Sequence, residues 1–103
     1  MNLKERSQIA KDAFERRLVI LEGKGKEYAN GEDANGNFKR LAPKLGLTPE
    51  QVLWVYAAKH IDSIETWLRT REEGMEGIIG RLDDLRNYVD ILESIVRDEK
   101  CGE

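Results

Sequence analysis

The sequence predicts an all-α protein, a small bundle of three long helices and one short helix. Apolar residues recur at helical spacings of three and four over most of the chain, no stretch alternates as a strand does, and a strong helix-start signal lies in mid-sequence. The chain has 103 residues, of which 40% are hydrophobic and 36% are charged. This length and composition predict one folded domain over residues 1–103.

The first helix is predicted from Leu3 to Glu22. Gly23 is expected to end it, because four glycines and three asparagines follow within residues 23–37. These residues predict a glycine-rich loop at about 23–36. Long loops in small domains are often functional, so this loop is a candidate binding element, with a merely flexible connection as the alternative.

Capping residues and apolar residues at helical spacing predict three more helices. A short helix is predicted over Asn37–Leu45, and a long one runs from the capping sequence at Thr48 to Glu73, where Thr, Pro and Gln occupy favourable first-turn positions. The last helix is predicted over Gly77–Lys100. Its expected core stripe consists of Ile78, Leu82, Leu85, Val89, Leu92 and Val96.

A second stripe on the last helix predicts self-association. It contains Asp84, Tyr88, Ile91 and Ile95. Ile91 and Ile95 need cover that so few helices can hardly supply, which favours a homo-oligomer formed through the long helices. The alternative is a monomer core that hides both side chains.

The charge distribution excludes some partners and leaves others open. The net charge of −3 argues against a nucleic-acid partner. Charges near the start and the absence of a long apolar stretch predict an intracellular, cytoplasmic protein with no membrane partner. A lone cysteine, Cys101, allows no internal disulfide. Residues 72–103 hold ten acids and four bases, whereas residues 24–44 hold five cations and three anions, and this asymmetry suits either an anionic ligand or simple solvation.

Two side chains in the long helix are candidates for chemistry. Lys59 is expected at the lip of a cavity, where it reaches a phosphate or else pairs with Asp62 or Ser63. His60 lies on the apolar face. A lone histidine on such a face is usually a hydrogen-bonded core or interface residue, and no second histidine exists for a two-histidine metal site. A catalytic role is the alternative.

Four short motifs resemble one protein family. They are Lys24–Ala29 (KGKEYA), Asn37–Phe38, Lys59 and Asp84–Tyr88 (DLRNY). Over residues 20–96 the chain resembles the nucleotide modification associated domain family of small phage and bacterial proteins, whose pattern is K-x-x-D-Y-G, N-F, K and D-L-x-N-Y. That family is similar in layout to the all-α nucleoside triphosphate pyrophosphatases of the MazG type. The resemblance implies a helical, commonly oligomeric phage-type protein that handles a nucleotide.

The chain departs from the MazG type at the metal site. Those enzymes hold magnesium with E-E-x-x-E on one helix and E-x-x-D on the next. Here the second motif begins with Arg81, and the preceding helix offers only Asp62 and Glu65 to join Asp84. Replacing acids by cations exchanges a metal clamp for direct contacts to phosphate, which favours binding over hydrolysis.

Three functions remain in competition. The first is a nucleotide-binding oligomer that holds or sequesters a nucleotide or cyclic nucleotide, such as a host-defence signal, without a cofactor. The second is a Mg²⁺-dependent pyrophosphatase with Asp62, Glu65 and Asp84 as ligands. The third is an acidic helical inhibitor of a host protein such as a nuclease. No catalytic residue is assigned. The predicted ligand-binding residues are Lys24, Lys26, Tyr28, Asn37, Phe38, Arg40, Lys59, Asp84, Asn87 and Tyr88.

Overall fold

Four helices make up most of the part of the chain that the computed structural model describes. This part is the backbone of residues 1–28 and 33–102 and the side chains of residues 1–23 and 33–98. The helices are α1 (Leu3–Tyr28), α2 (Gly36–Leu45), α3 (Pro49–Thr70) and α4 (Gly77–Gly102). No strand forms within the described ranges, and the predicted all-α class is confirmed.

The capping sequence predicted for α3 is formed. Gln51 N donates to Thr48 Oγ1 at 3.2 Å, and Thr48 N donates to Gln51 Oε1 at 2.9 Å. The predicted end at Glu73 is wrong by three residues. Arg71 has a left-handed backbone (φ 61°), and its N–H closes the helix by donating to Trp67 O at 2.7 Å.

The predicted end of α1 is also wrong. The helix continues through Gly23 to Tyr28, so residues 23–28 are not a loop. A glycine inside a helix costs only about 1 kcal/mol relative to alanine, and good helix formers surround it here. Before α2, Asp33 Oδ1 accepts a hydrogen bond from Asn35 N at 3.0 Å, which forms a turn. Residues 29–32 of the predicted loop lie outside the described part.

The core lies where α2, α3 and α4 meet. Helix α3 packs mainly on α4, α2 packs on α3, and α1 lies alongside α4. The buried apolar residues of this core are Phe38, Ala42, Val52, Leu53, Ala57, Tyr88 and Ile95. None of the helices in the described ranges is both long and apolar enough to cross a membrane.

The two stripes of α4 differ from their predicted roles in part. Ile95 is fully buried and Ile91 packs against the core, so neither needs cover from another molecule. Val89 and Val96, predicted to be core residues, are exposed. The reason is that the core forms on the side of α4 that carries Tyr88 and Ile95, so that Leu92 of the regular stripe packs against the core while Val89 and Val96 face outward.

Two ion pairs link helix α1 to α4. Among the described side chains of α1, Ala13 alone is buried. Arg16 Nε donates to Asp83 Oδ2 at 2.8 Å, and Arg17 Nε donates to Asp90 Oδ2 at 3.1 Å. Burial by itself raises the pKa of Asp83, but hydrogen bonds from Arg16 and Arg86 outweigh burial, so this pKa lies below its ordinary value.

A second charged contact fastens α2 to the far end of α4. Lys39 Nζ lies 2.8 Å from Asp33 Oδ2 and 2.6 Å from Asp98 Oδ2. These two hydrogen bonds raise the pKa of Lys39. The bond between Lys39 and Asp33 also lowers the pKa of Asp33. The turn before α2 and the end of α4 are thereby held together.

Candidate functional site

A cavity of about 390 Å³ opens between α3 and α4. The described residues that line it are Val55, Tyr56 and Lys59 of α3 and Tyr88 of α4. Because one helical turn separates residue 59 from residues 55 and 56, the three α3 residues lie on one side of the helix. The volume falls within the range of about 300–1,000 Å³ typical of small-molecule sites. The cavity therefore combines aromatic walls with one exposed cation.

Packing behind the cavity fixes both of its aromatic rings. The ring centroids of Phe38 and Tyr56 are 5.6 Å apart at an interplanar angle of 62°, an edge-to-face contact. Tyr88 is buried, and its ring centroid lies 5.1 Å from that of His60. The partly buried Tyr56 thus forms a wall and Tyr88 the floor.

A histidine and a carboxylate lie next to this floor. His60 Nδ1 is 3.7 Å from Asp84 Oδ2, and both side chains are largely buried. This distance is longer than a hydrogen bond but allows electrostatic attraction when the imidazole is charged. Asp84 precedes Tyr88 by one turn of α4, so the pair is held beside the tyrosine ring.

The structure brings two of the predicted ligand-binding residues, Lys59 and Tyr88, to the lining of this cavity. Asp84 is not among the described lining residues and lies beside His60, whose ring is next to that of Tyr88. Asn37 and Arg40 are on α2 and are not among the lining residues.

Phe38 and Asn87 do not have the predicted position. Phe38 is completely buried in the core, so it supports Tyr56 and cannot itself stack on a ligand. Asn87 is 3% exposed and does not line the cavity. Its Nδ2 and Oδ1 atoms have no hydrogen-bond partner among the described residues, an arrangement that ordinarily costs about 1–3 kcal/mol.

Lys24, Lys26 and Tyr28 belong to the last turns of α1 instead of a loop. Their side chains lie outside the described part of the chain, and their predicted contacts with phosphate and base stay predictions.

The predicted metal ligands do not meet. Asp62 and Glu65 are exposed on α3, whereas Asp84 faces His60. Within the described residues there is no group of three or more His, Cys, Asp or Glu side chains that could hold a metal ion. The sequence therefore predicted a set of carboxylates that helix packing separates.

Arg81 also differs from its predicted role. Its Nη1 donates to Ser63 O at 3.3 Å and its Nη2 donates to Glu73 O at 3.1 Å. The guanidinium thus links α4 to α3 and to the turn that follows α3. The cation that stands where the MazG pattern has an acid therefore donates to two backbone carbonyls.

Sequence reasoning missed Val55 and Tyr56 as lining residues. Tyr56 precedes Lys59 by three positions on the same helix face, a spacing that was available as a signal. What the sequence did not contain is the position of Phe38, which decides which aromatic ring is buried and which one lines the cavity.

Comparison with known proteins gives no match. No family model, curated protein or solved structure is similar to this chain at a significant level. The motif resemblance stays a prediction.

Proposed function

We propose that this protein binds a nucleotide in the cavity between α3 and α4 and holds it without hydrolysis. The observation that carries the proposal is the placement of Lys59 beside Tyr56 and Tyr88 around one open cavity. Such a site offers an apolar surface for a base and a cation for a phosphate.

The exposure of each lining side chain indicates its role in binding. Tyr56 is partly exposed and is held from behind by Phe38, so its ring is available for stacking at little cost in conformational entropy. Lys59 is exposed, and a lysine offers a compact point charge on a four-carbon stem that can follow a phosphate group. The buried Tyr88 closes the floor, and the carboxylate of Asp84 and the imidazole of His60 lie beside it.

The choice of a nucleotide among anionic ligands rests on the motif resemblance, in which Lys59 and Asp84–Tyr88 are shared positions. The choice of holding over hydrolysis rests on the separation of Asp62 and Glu65 from Asp84. Pyrophosphatases of the MazG type need several carboxylates around one ion, and these three side chains do not come together.

Isothermal titration calorimetry tests the proposal. The titrants are nucleoside mono-, di- and triphosphates and cyclic dinucleotides, in buffer without a divalent metal. Lys59→Gln is expected to raise Kd by about tenfold for the best ligand, the loss of one charge-assisted contact. Lys11→Gln is the matched control, because it removes the same charge from an exposed position on α1. No binding by any titrant, or equal weakening by both variants, contradicts the proposal.

A further inference from the structure

A groove of about 440 Å³ lies where α1 passes α4. Its described lining residues include three apolar and three charged side chains, and they are Leu82, Leu85, Val89, Arg17, Arg86 and Asp90. Arg17 belongs to α1, and the other five belong to α4. The groove therefore combines an apolar strip of one helix with guanidinium groups from two helices, a composition typical of a small-molecule site.

The apolar strip is accessible and has a defined length. Leu82, Leu85 and Val89 are spaced by three and four positions, so they lie on one side of α4. The first two are partly buried, and Val89 is 50% exposed. From residue 82 to residue 89 the helix rises by about 10 Å. A zigzag hydrocarbon chain with carbon–carbon bonds of about 1.5 Å covers this length with roughly eight carbons.

The ion-paired groups around the groove do not cancel in charge. Two guanidinium groups share the carboxylate of Asp83, with Arg16 Nε at 2.8 Å and Arg86 Nη1 at 2.9 Å. Arg17 has a carboxylate of its own, that of Asp90, at 3.1 Å. Three cations are thus paired with two acids, although the whole chain has a net charge of −3. This local excess of one positive charge favours a ligand with a single negative charge.

Arg86 has most of its hydrogen-bond donors available for such a ligand. Its side chain is 39% exposed, and among the described residues it donates only through Nη1 to Asp83. A guanidinium carries five N–H donors in a planar fork. Within the described part of the chain, Arg17 donates only through Nε to Asp90. The Phe14 ring centre lies 5.8 Å from the Arg17 guanidinium. Because the side chain of Arg17 is only 18% exposed, Arg86 is the better anchor for an anion.

We propose that this groove binds a small carboxylic acid with an apolar tail of roughly eight carbons. Arg86 holds the carboxylate, Arg17 is the second donor, and the tail lies along the strip of Leu82, Leu85 and Val89. A carboxylate matches the fork of an arginine with two parallel hydrogen bonds, and its single charge matches the excess at the groove. A phosphate monoester, with about 1.5–2 negative charges at pH 7, matches that excess less well.

The groove is separate from the cavity beside Lys59. The two share none of their described lining residues. The apolar strip and the guanidinium groups also select for different parts of one molecule, since a tail without a charge leaves the donors of Arg86 unused and a charge without a tail leaves the strip in water. This inference therefore does not depend on the proposed function, and it requires both features in the same ligand.

An NMR titration of the full chain with octanoate, below its micelle-forming concentration, tests this inference. The backbone amide signals of residues 82–90 are expected to shift saturably, with Kd below about 1 mM. Two further probes separate the parts of the ligand: 1-octanol has the tail without the charge, and acetate has the charge without the tail. Each is expected to bind about tenfold more weakly than octanoate, or weaker still.

Arg86→Gln removes the anchoring charge and is expected to raise Kd for octanoate about tenfold. Arg97→Gln is the matched control, because it removes the same charge from an exposed position of α4, where Arg97 pairs with Glu93 at 2.8 Å. Its Kd is expected to equal that of the wild type. Val89→Asn makes the apolar strip polar without changing a charge and is expected to raise Kd about fivefold.

Circular dichroism establishes that each variant keeps its helices. If Arg86→Gln loses helical signal because Asp83 loses a partner, Val89→Asn decides in its place. Saturable binding of octanoate that a groove variant weakens and Arg97→Gln retains supports the inference. The absence of a saturable shift with octanoate, equal affinity for 1-octanol or acetate, or octanoate binding that survives the groove variants overturns it.

Discussion

Replacing Asp83 by asparagine is the sharpest test of how α1 is held. Asp83 is 4% exposed, and its carboxylate accepts three hydrogen bonds. Two come from Arg16, through Nε at 2.8 Å and Nη2 at 3.3 Å, and one comes from Arg86 Nη1 at 2.9 Å. Asp83→Asn keeps the shape of the side chain but removes the charge that attracts both guanidinium groups.

The expected loss in the free energy of unfolding is about 2 kcal/mol. A hydrogen bond to a charged group contributes about 1.5–3 kcal/mol when it is buried. Here the side chains of Arg16 and Arg86 are 44% and 39% exposed, so water screens both attractions and an amide oxygen retains part of them. For a domain of this size such a loss lowers Tm by about 10 °C.

Urea and thermal unfolding followed by far-ultraviolet circular dichroism measure this loss, with both variants and the wild type at one protein concentration. Asp90→Asn is the matched control. Its ion pair with Arg17 also joins α1 to α4, but Asp90 is exposed, so the expected cost is below about 1 kcal/mol. Equal losses in the two variants would refute the argument that burial makes the Asp83 contact the stronger one.

The pH dependence has a defined sign. Because the pKa of Asp83 is lower in the folded chain than its ordinary value of 3.8, the stabilisation is fully present above that ordinary value. It is lost as pH falls through the lower folded pKa. The difference between wild type and Asp83→Asn is therefore expected to be constant from pH 7 to about pH 5 and to shrink below about pH 4. A difference that stays unchanged down to about pH 2 would show that Asp83 does not act through its charge.

Three further substitutions have defined outcomes in urea unfolding. Thr48→Ala removes the α3 cap and is expected to cost about 1 kcal/mol, whereas Thr66→Ala, at an exposed position near the end of α3, should be nearly neutral; a neutral Thr48 variant would contradict the capping argument. Phe38→Ala leaves a cavity in the core and is expected to lower the free energy of unfolding by about 3–5 kcal/mol. A loss below about 1 kcal/mol would place Phe38 outside the core. Asn87→Leu removes a buried amide without a described partner and is expected to stabilise the fold by about 1 kcal/mol; destabilisation would reveal a hydrogen bond that the amide makes in solution.

Signals within single segments predicted the helices well. The start of α3 at Thr48 depends on contacts within one turn, so the sequence contains all the information. The end of α1 was missed because glycine disfavours a helix without forbidding it. The core side of α4 was missed for a different reason. Periodicity reveals two stripes on the helix, but only the packing of α2 and α3 decides that Ile95 is buried and Val89 is not.

The candidate site was also predictable only where it depends on signals within one helix. Lys59 could be expected at an opening because it follows an apolar first half of its helix. The buried position of Phe38, the separation of Asp62 from Asp84 and the engagement of Arg81 all depend on how helices pack, which no short motif encodes.

The two tryptophans of α3 give the molecule a built-in optical probe. Trp67 is partly buried beneath the guanidinium of Arg71, whose charge lies 4.4 Å from the ring centre, whereas Trp54 is exposed and immediately precedes Val55 of the cavity wall. A Trp67→Phe chain leaves a single indole beside the cavity, and a Trp54→Phe chain leaves a single indole at the far end of the same helix. Emission from the two chains therefore separates events at the cavity from events at the turn between α3 and α4, without any attached dye.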